Sequence, residues 1–283
     1  METAPFMNLA QLVKQMTPVF VVAPTARNGI TLIQRLLNTT RQIIVYGENT
    51  AFVQTMPSLV HSAVQTHVRL GPEMEETRKR FLHETTEFWS SGLWPDTNRF
   101  QLLAFEAFYK MAAHYQGCTE DYGHVRWGLK NPMDGPQMIE RLQILMPAAR
   151  FVFIYRDLFD VARSAKSRQF IRNSDDLVHY ARTWRENLTA VLADRSDRVC
   201  ALQYEDLLAR PEHHIPRLEQ FAGVTGIDAG VLDRKINTFD GPEDRGLSPT
   251  GYVEPQTLSG EEIRTLREHA APALELGGYA RSA

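Results

Sequence analysis

The chain has 283 residues, with 31 Lys and Arg against 34 Asp and Glu and a formal net charge of -3. Hydrophobic residues make up 43% of it, enough apolar side chain for a sizeable core, which excludes a disordered or fibrous protein. The near-neutral balance gives no general attraction to nucleic acid, so any anion site must be a local cluster of basic residues.

From the amino terminus, Met1–Met16 is interrupted by Gln11, Lys14 and Gln15 and lacks the apolar core and cleavage site of a signal peptide. No stretch approaches the roughly 20 apolar residues of a membrane span, so a soluble, cytoplasmic protein is expected. Val19–Ala23, an apolar run between Pro18 and Pro24, predicts a buried strand. A turn and a helix from about Ile30 to Leu37 follow, then a second strand at Ile43–Tyr46 ending on Gly47-Glu48-Asn49. From Phe52 to Gln116 the pattern is helical, with breaks at Gly71-Pro72 and Trp94-Pro95. This predicts a helical insert at about 52–116, whose aromatics (Phe81, Phe88, Trp89, Phe105, Phe108 and Tyr109 among them) mostly pack between helices, a minority lining an acceptor pocket.

Strands resume at Val125–Leu129, Phe151–Tyr155 and Val199–Tyr204, and helical patterns follow at Gln137–Met146, Asp160–Arg168 and Pro211–Ala222. The alternation predicts one α/β domain over residues 1–283, three layers built on a mainly parallel sheet with right-handed crossovers. Such sheets bind ligands beyond the carboxyl ends of their strands. That rule points to Pro24–Thr31, Gly47–Asn49, Lys130, Arg156-Asp157 and Glu205-Asp206. Asp240–Pro255, rich in Gly, Pro and charge, reads as a long surface loop able to fold over a ligand. Cys118 and Cys200 fit neither a disulfide framework nor metal-ligand spacing, so they are expected to be small buried hydrophobes and no metal site is expected.

Pro24-Thr25-Ala26-Arg27-Asn28-Gly29-Ile30-Thr31 joins the first strand to the first helix. Gly29 can take the angles of a tight turn, and a helix start offers unpaired N–H groups with a favourable dipole, which together make an anion site. A nucleotide triphosphatase carries G-x-x-x-x-G-K-[ST] here. In that register Ile30 stands in place of the lysine, and the basic residue, Arg27, lies inside the loop. The loop therefore suits a phosphate but is poorly made for ATP or GTP hydrolysis. Further on, Arg156 follows a strand at the ligand edge, and Ser164 two turns into the next helix can face the same way. A forked guanidinium and a hydroxyl suit phosphate oxygens. The plainer readings of these residues are an ordinary βα turn and a capped helix with a surface arginine.

Val21–Leu32 resembles the P-R-S-G-T-T-L loop of sulfotransferases that use 3′-phosphoadenosine-5′-phosphosulfate (PAPS). Arg27, Gly29 and Thr31 match, while Ala26, Asn28 and Ile30 replace the proline, the serine and the first threonine. Phe153-Ile154-Tyr155-Arg156-Asp157 with Ser164 resembles the family's 3′-phosphate element. Trp127-Gly128-Leu129-Lys130-Asn131-Pro132 resembles its W-G-x-K-x-P segment, which supplies a lysine near the transferred group. Tyr204-Glu205-Asp206-Leu207-Leu208 with Pro211-Glu212 resembles its Y-E-D-L-L-x-x-P-E segment, whose tyrosine lies by the adenine. Glu205 and Asp206 themselves read as helix caps. The four segments occur in the family's order between Val19 and Phe221.

The resemblance, nearest to the tyrosylprotein and bacterial branches, implies a P-loop-like nucleotide-binding topology and PAPS as co-substrate, with release of adenosine 3′,5′-bisphosphate (PAP). It implies a donor site of Arg27, Asn28, Gly29, Ile30, Thr31, Arg156, Ser164 and Tyr204, with Arg27 and Lys130 as cations on the leaving oxygen and no Mg2+ demanded. The base in this family is a histidine or, in the tyrosylprotein branch, a glutamate shortly after the second strand. Gly47-Glu48-Asn49-Thr50 resembles that branch's G-E-E-T, so Glu48 is the first candidate and His124, beside the third strand, the second. A helix-capping role is the alternative for Glu48. Two other functions remain open: a P-loop-type kinase, which the missing lysine disfavours, and a non-catalytic nucleotide-binding relative, which the irregular loop favours. The acceptor, a small-molecule or peptide hydroxyl, and the oligomeric state are left open.

Overall fold

The computed structural model describes residues 4–83, 96–194, 196–233 and 254–280. Strands β1 (Val19–Ala23), β2 (Ile43–Tyr46), β3 (Arg126–Pro132), β4 (Arg150–Tyr155) and β5 (Val199–Gln203) form one sheet in the order β2-β3-β1-β4-β5. Every neighbouring pair is parallel, so all five carboxyl ends share one edge. β1 is buried along its whole length and β4 along its centre, which is why both read as unbroken apolar runs.

The side chains of the central strands alternate between two cores, as the two-residue period of a strand requires. Phe20, Val22, Trp127, Leu129, Phe151 and Phe153 face one layer of helices. That layer contains α1 (Ala4–Gln15), α3 (Met56–His83), α4 (Thr97–Asp121), α5 (Gln137–Leu145), α6 (Leu158–Ser167), α7 (Ser174–Ala193) and α10 (Gly260–Leu276). Val19, Val21, Ile43, Val45, Val152 and Leu202 face the other layer, made of α2 (Ile30–Thr39), α8 (Tyr204–Ala209) and α9 (Pro211–Ala222). The result is the three-layer α/β architecture expected from the alternation of strands and helices.

Several boundaries differ from the sequence expectation. β3 runs three residues past Leu129, and Tyr204 begins α8 instead of ending β5. The insert opens with a π-helical turn (Ala51–Thr55), and the α3 backbone continues through Gly71-Pro72, where a break was expected. Packing of α3 along α4 outweighs the unfavourable propensity of those two residues. Phe108 and Tyr109 are core residues, whereas Phe81 is exposed. Phe88, Trp89, Trp94 and Pro95 lie outside the described residues, as do residues 240–253 of the expected surface loop. Cys200 is buried, but Cys118 is only partly so, because its stretch of α4 faces solvent more than core. Helices α1, α7 and α10 were not anticipated. Among the described residues no helix is long and apolar enough to cross a membrane.

One glycine is a direct test of the strand pairing. In β3, a Cβ added at Gly128 would lie 2.1 Å from the backbone oxygen of Val19 on β1. Gly128→Ala must therefore push β3 off β1, at an expected cost above about 3 kcal/mol, read as a fall of several degrees in Tm. An unchanged Tm would contradict this register.

Candidate active site

Beyond β1 the chain turns through residues 24–29 into α2. Arg27 and Gly29 have φ values of 70° and 106°, both left-handed. At position 29 a side chain is excluded twice, since an added Cβ would also meet the Tyr204 ring at 2.8 Å. Asn28 holds the turn from inside and is fully buried. Its Nδ2 donates to the Thr25 carbonyl and Thr25 Oγ1, each at 2.9 Å, and to the Ala26 carbonyl at 3.2 Å. Its Oδ1 accepts the backbone N–H of Arg156 at 3.0 Å, tying the loop to the end of β4.

Helix α7 braces the loop from outside. The Tyr180 hydroxyl donates to the Ala26 carbonyl at 2.5 Å, and Asn187 Nδ2 donates to the carbonyls of Pro24 and Met133 at 2.8 and 3.4 Å. Burial pushes the Tyr180 hydroxyl far above the ordinary phenol range, so it stays protonated and remains a donor. With the carbonyls of Pro24, Thr25 and Ala26 engaged, the N–H groups that open α2, ahead of the Leu32 and Ile33 bonds to the Gly29 carbonyl, form the kind of helix start that can meet an anion. The Ile30 side chain is buried in the core beneath α2, so only its main chain can meet a ligand.

Three groups of side chains meet at this edge. Lys130 Nζ, at the end of β3, donates to Thr31 Oγ1 at 3.1 Å and to Glu48 Oε1 at 3.3 Å. Arg27 Nε donates to Ser164 Oγ on α6 at 3.0 Å. The Arg156 guanidinium lies over the Tyr204 ring, Cζ 4.8 Å from its centroid, and its Nη2 contacts Asp160 Oδ2 at 3.3 Å. Asp160 also receives Arg163 Nη1 at 2.8 Å. Among the described residues Arg156 Nε is buried without a hydrogen-bond partner. A buried unsatisfied donor costs about 1–3 kcal/mol, so an acceptor reaching this atom would be favoured.

The capping role open to Glu48 belongs to its neighbour. Asn49 Oδ1 accepts the Phe52 N–H at 3.0 Å, and its Nδ2 donates to the Tyr115 hydroxyl at 2.6 Å. His124 is not brought to the site. It precedes β3, at the amino-terminal edge, six residues or about 20 Å of extended chain before Lys130. There its Nδ1 sits 2.9 Å from the Tyr122 carbonyl.

Glu205 and Asp206 do not cap α8, contrary to expectation, because each carboxylate reaches another element or the next turn. Glu205 accepts the Asp157 N–H at 3.0 Å and the Tyr279 hydroxyl at 2.6 Å. Asp206 binds Arg210 and His214, and the Arg210 hydrogen bond, then that of His214, holds its carboxyl below the usual range. Among the described residues no cluster of His, Cys, Asp or Glu is arranged to hold a metal. Tyr180, Asn187, Asp160 and Tyr279 were not singled out from the sequence. The available signal was a polar residue, Asn187, within the apolar stripe Leu177, Ala181, Trp184, Leu188 and Val191.

Asn28→Ala removes three donated contacts and the acceptor of the Arg156 amide. The expected cost is about 2–4 kcal/mol, with faster hydrogen exchange at the Arg156 N–H. Unchanged stability together with full protection of that amide would contradict the role given to Asn28.

A model of the sulfotransferase family matches residues 18–228, about three-quarters of the chain. No curated protein matches it. Among solved structures, the sulfotransferase domain of the olefin synthase from Synechococcus PCC 7002 aligns with a TM-score of 0.50 at 17% identity, covering 91% of this chain and 96% of that one. The sulfotransferase domain from the curacin biosynthetic pathway aligns with a TM-score of 0.50 at 13% identity, covering 90% and 98%. At these identities the likeness speaks for the fold alone. The match over residues 18–228 spans β1 to α9 and takes in Arg27, Thr31, Glu48, Lys130, Arg156, Ser164 and Tyr204. The chain belongs to the sulfotransferase family.

Proposed function

We propose that the protein transfers a sulfuryl group from PAPS to a hydroxyl acceptor and releases PAP. The observation that carries this reading is Lys130 Nζ between Thr31 Oγ1 and Glu48 Oε1, beside the Arg27–Ser164 pair, at the edge where a parallel sheet binds ligands. The 5′-phosphosulfate is assigned to the start of α2, Thr31, Arg27 and Lys130. The 3′-phosphate is assigned to Arg156 and Ser164, supported by the buried Nε of Arg156, which has no hydrogen-bond partner among the described residues. The adenine is assigned to Tyr204, whose ring already carries a guanidinium. Asn28 and Ile30 serve this site through the main chain they hold in place.

PAPS supplies a sulfuryl group whose bond to the phosphate oxygen breaks as the bond to the acceptor oxygen forms. Lys130 and Arg27 place positive charge where the leaving oxygen gains negative charge, the kind of stabilisation worth about 100-fold in rate or more. Glu48 takes the proton that the acceptor hydroxyl loses. Its 3.3 Å separation from Lys130 lets one small substrate region meet both groups. His124, on the far edge, has no part in this scheme.

Lys130→Ala and Arg27→Ala are each expected to lower turnover by about 100-fold or more with Tm retained. Glu48→Gln keeps the shape and removes the basicity, so it is expected to lower kcat while PAP affinity changes less than about twofold. The assay needs an aliphatic alcohol or a tyrosine-like acceptor of pKa about 10, because an acidic phenol ionises unaided. Full turnover in Glu48→Gln would remove Glu48 as the base. A strict requirement for a divalent cation, lost in EDTA, would favour phosphoryl transfer instead.

A further inference from the structure

At the opposite, amino-terminal edge of the sheet lies a cavity of about 580 Å3 lined by Arg150, Arg198, Arg217, Asp197 and Phe221. Arg126, at the start of β3, is close enough to Arg150 to feel its charge: burial first, and then that neighbour, lowers the Arg126 guanidinium from its ordinary range. Four arginines thus gather where β3, β4 and β5 begin and α9 passes over them.

Part of this cluster has a local explanation. Arg126 and Arg150 each donate one Nη1 to a carbonyl at the end of α9, Ala222 and Phe221 respectively, where cations are favoured. Arg198 Nη1 donates to the Pro147 carbonyl at 2.6 Å. A guanidinium has five N–H donors, so among the described residues these bonds leave most of the donors unused. Among the described residues, moreover, none of the four arginines forms an ion pair with a carboxylate. That is unexpected in a chain with 34 acidic residues against 31 basic ones. The main-chain contacts, with the Phe221 ring centroid 5.9 Å from Arg150 Cζ, fix the guanidinium groups of Arg126, Arg150 and Arg198 in advance and reduce the ordering cost of binding.

We propose that this edge is a second anion site, separate from the sulfuryl-transfer site, for a small molecule bearing two or more phosphate or sulfate groups. Planar forked donors match such oxygens, and a multivalent anion relieves the repulsion between neighbouring guanidinium groups. The recess is of the size that holds small ligands, roughly 300–1,000 Å3, which favours a soluble small molecule over a macromolecular surface.

The test is calorimetric titration of the full chain with pyrophosphate at low salt, in a background of Arg156→Gln to weaken the donor side. One equivalent is expected to bind, and adding Arg198→Gln and Arg217→Gln should weaken it at least tenfold. Competition by sulfate then tells whether both kinds of oxyanion are accepted, while acetate should not compete. If the double edge change lowers Tm, Arg217→Gln alone supplies the comparison, since Arg217 is exposed and makes no hydrogen bond among the described residues. No saturable binding in the Arg156→Gln background, equal affinity with and without the edge arginines, or competition by acetate as strong as by sulfate would overturn the proposal.

Discussion

The site is organised around one buried amide. Asn28 satisfies the carbonyls of its own turn with Nδ2 and the Arg156 N–H with Oδ1, so the loop after β1 and the end of β4 cannot shift independently. A fully satisfied buried polar group rigidifies its surroundings, while a half-satisfied one is costly, so the arrangement favours a single loop conformation. Arg27, stabilised in a left-handed conformation by that turn, then reaches Ser164, and Arg156 comes to rest on Tyr204. The loop after β1 and the end of β4 are in this sense one rigid unit, with α7 as its outer support.

This unit also explains the loop's departures from the sulfotransferase pattern. Asn28 replaces a serine, and its longer side chain spans to β4. Ile30 replaces a threonine, and its side chain fills the core below α2 instead of facing the ligand edge. The hydroxyl that remains, on Thr31, is the one in contact with Lys130. The substitutions change how the loop is held, while Arg27 keeps its contact with Ser164 and Thr31 its contact with Lys130.

Much of this was legible because strand ends are legible. The apolar runs at β1 and β4 are buried on both faces, so Arg27 and Arg156 could be assigned to the ligand edge from their position after a strand, while Lys130 was placed there from an expected strand end and lies near the carboxyl end of β3. His124 fails by the same rule, since it stands before β3 and hence on the other edge. What the sequence concealed depends on distant partners. Asn28 acquires its role from a residue 128 positions away, and Glu205 from Tyr279, 74 positions away. The contribution of α7 was missed because Tyr180 and Asn187 lie on a helix flanked by no recognisable motif. Gly71-Pro72 misled because local propensity is a weak determinant inside a long packed helix pair.

The central claim is that loop and β4 form one site for two anionic groups set apart on a single nucleotide. Calorimetry comparing PAP with AMP tests it most directly, because the two ligands differ only in the 3′-phosphate. The account predicts that PAP binds about 10–150-fold more tightly, the equivalent of one charge-assisted contact of about 1.5–3 kcal/mol, and that Arg156→Gln erases the difference. Equal affinities for the two nucleotides in the unmodified protein would contradict it.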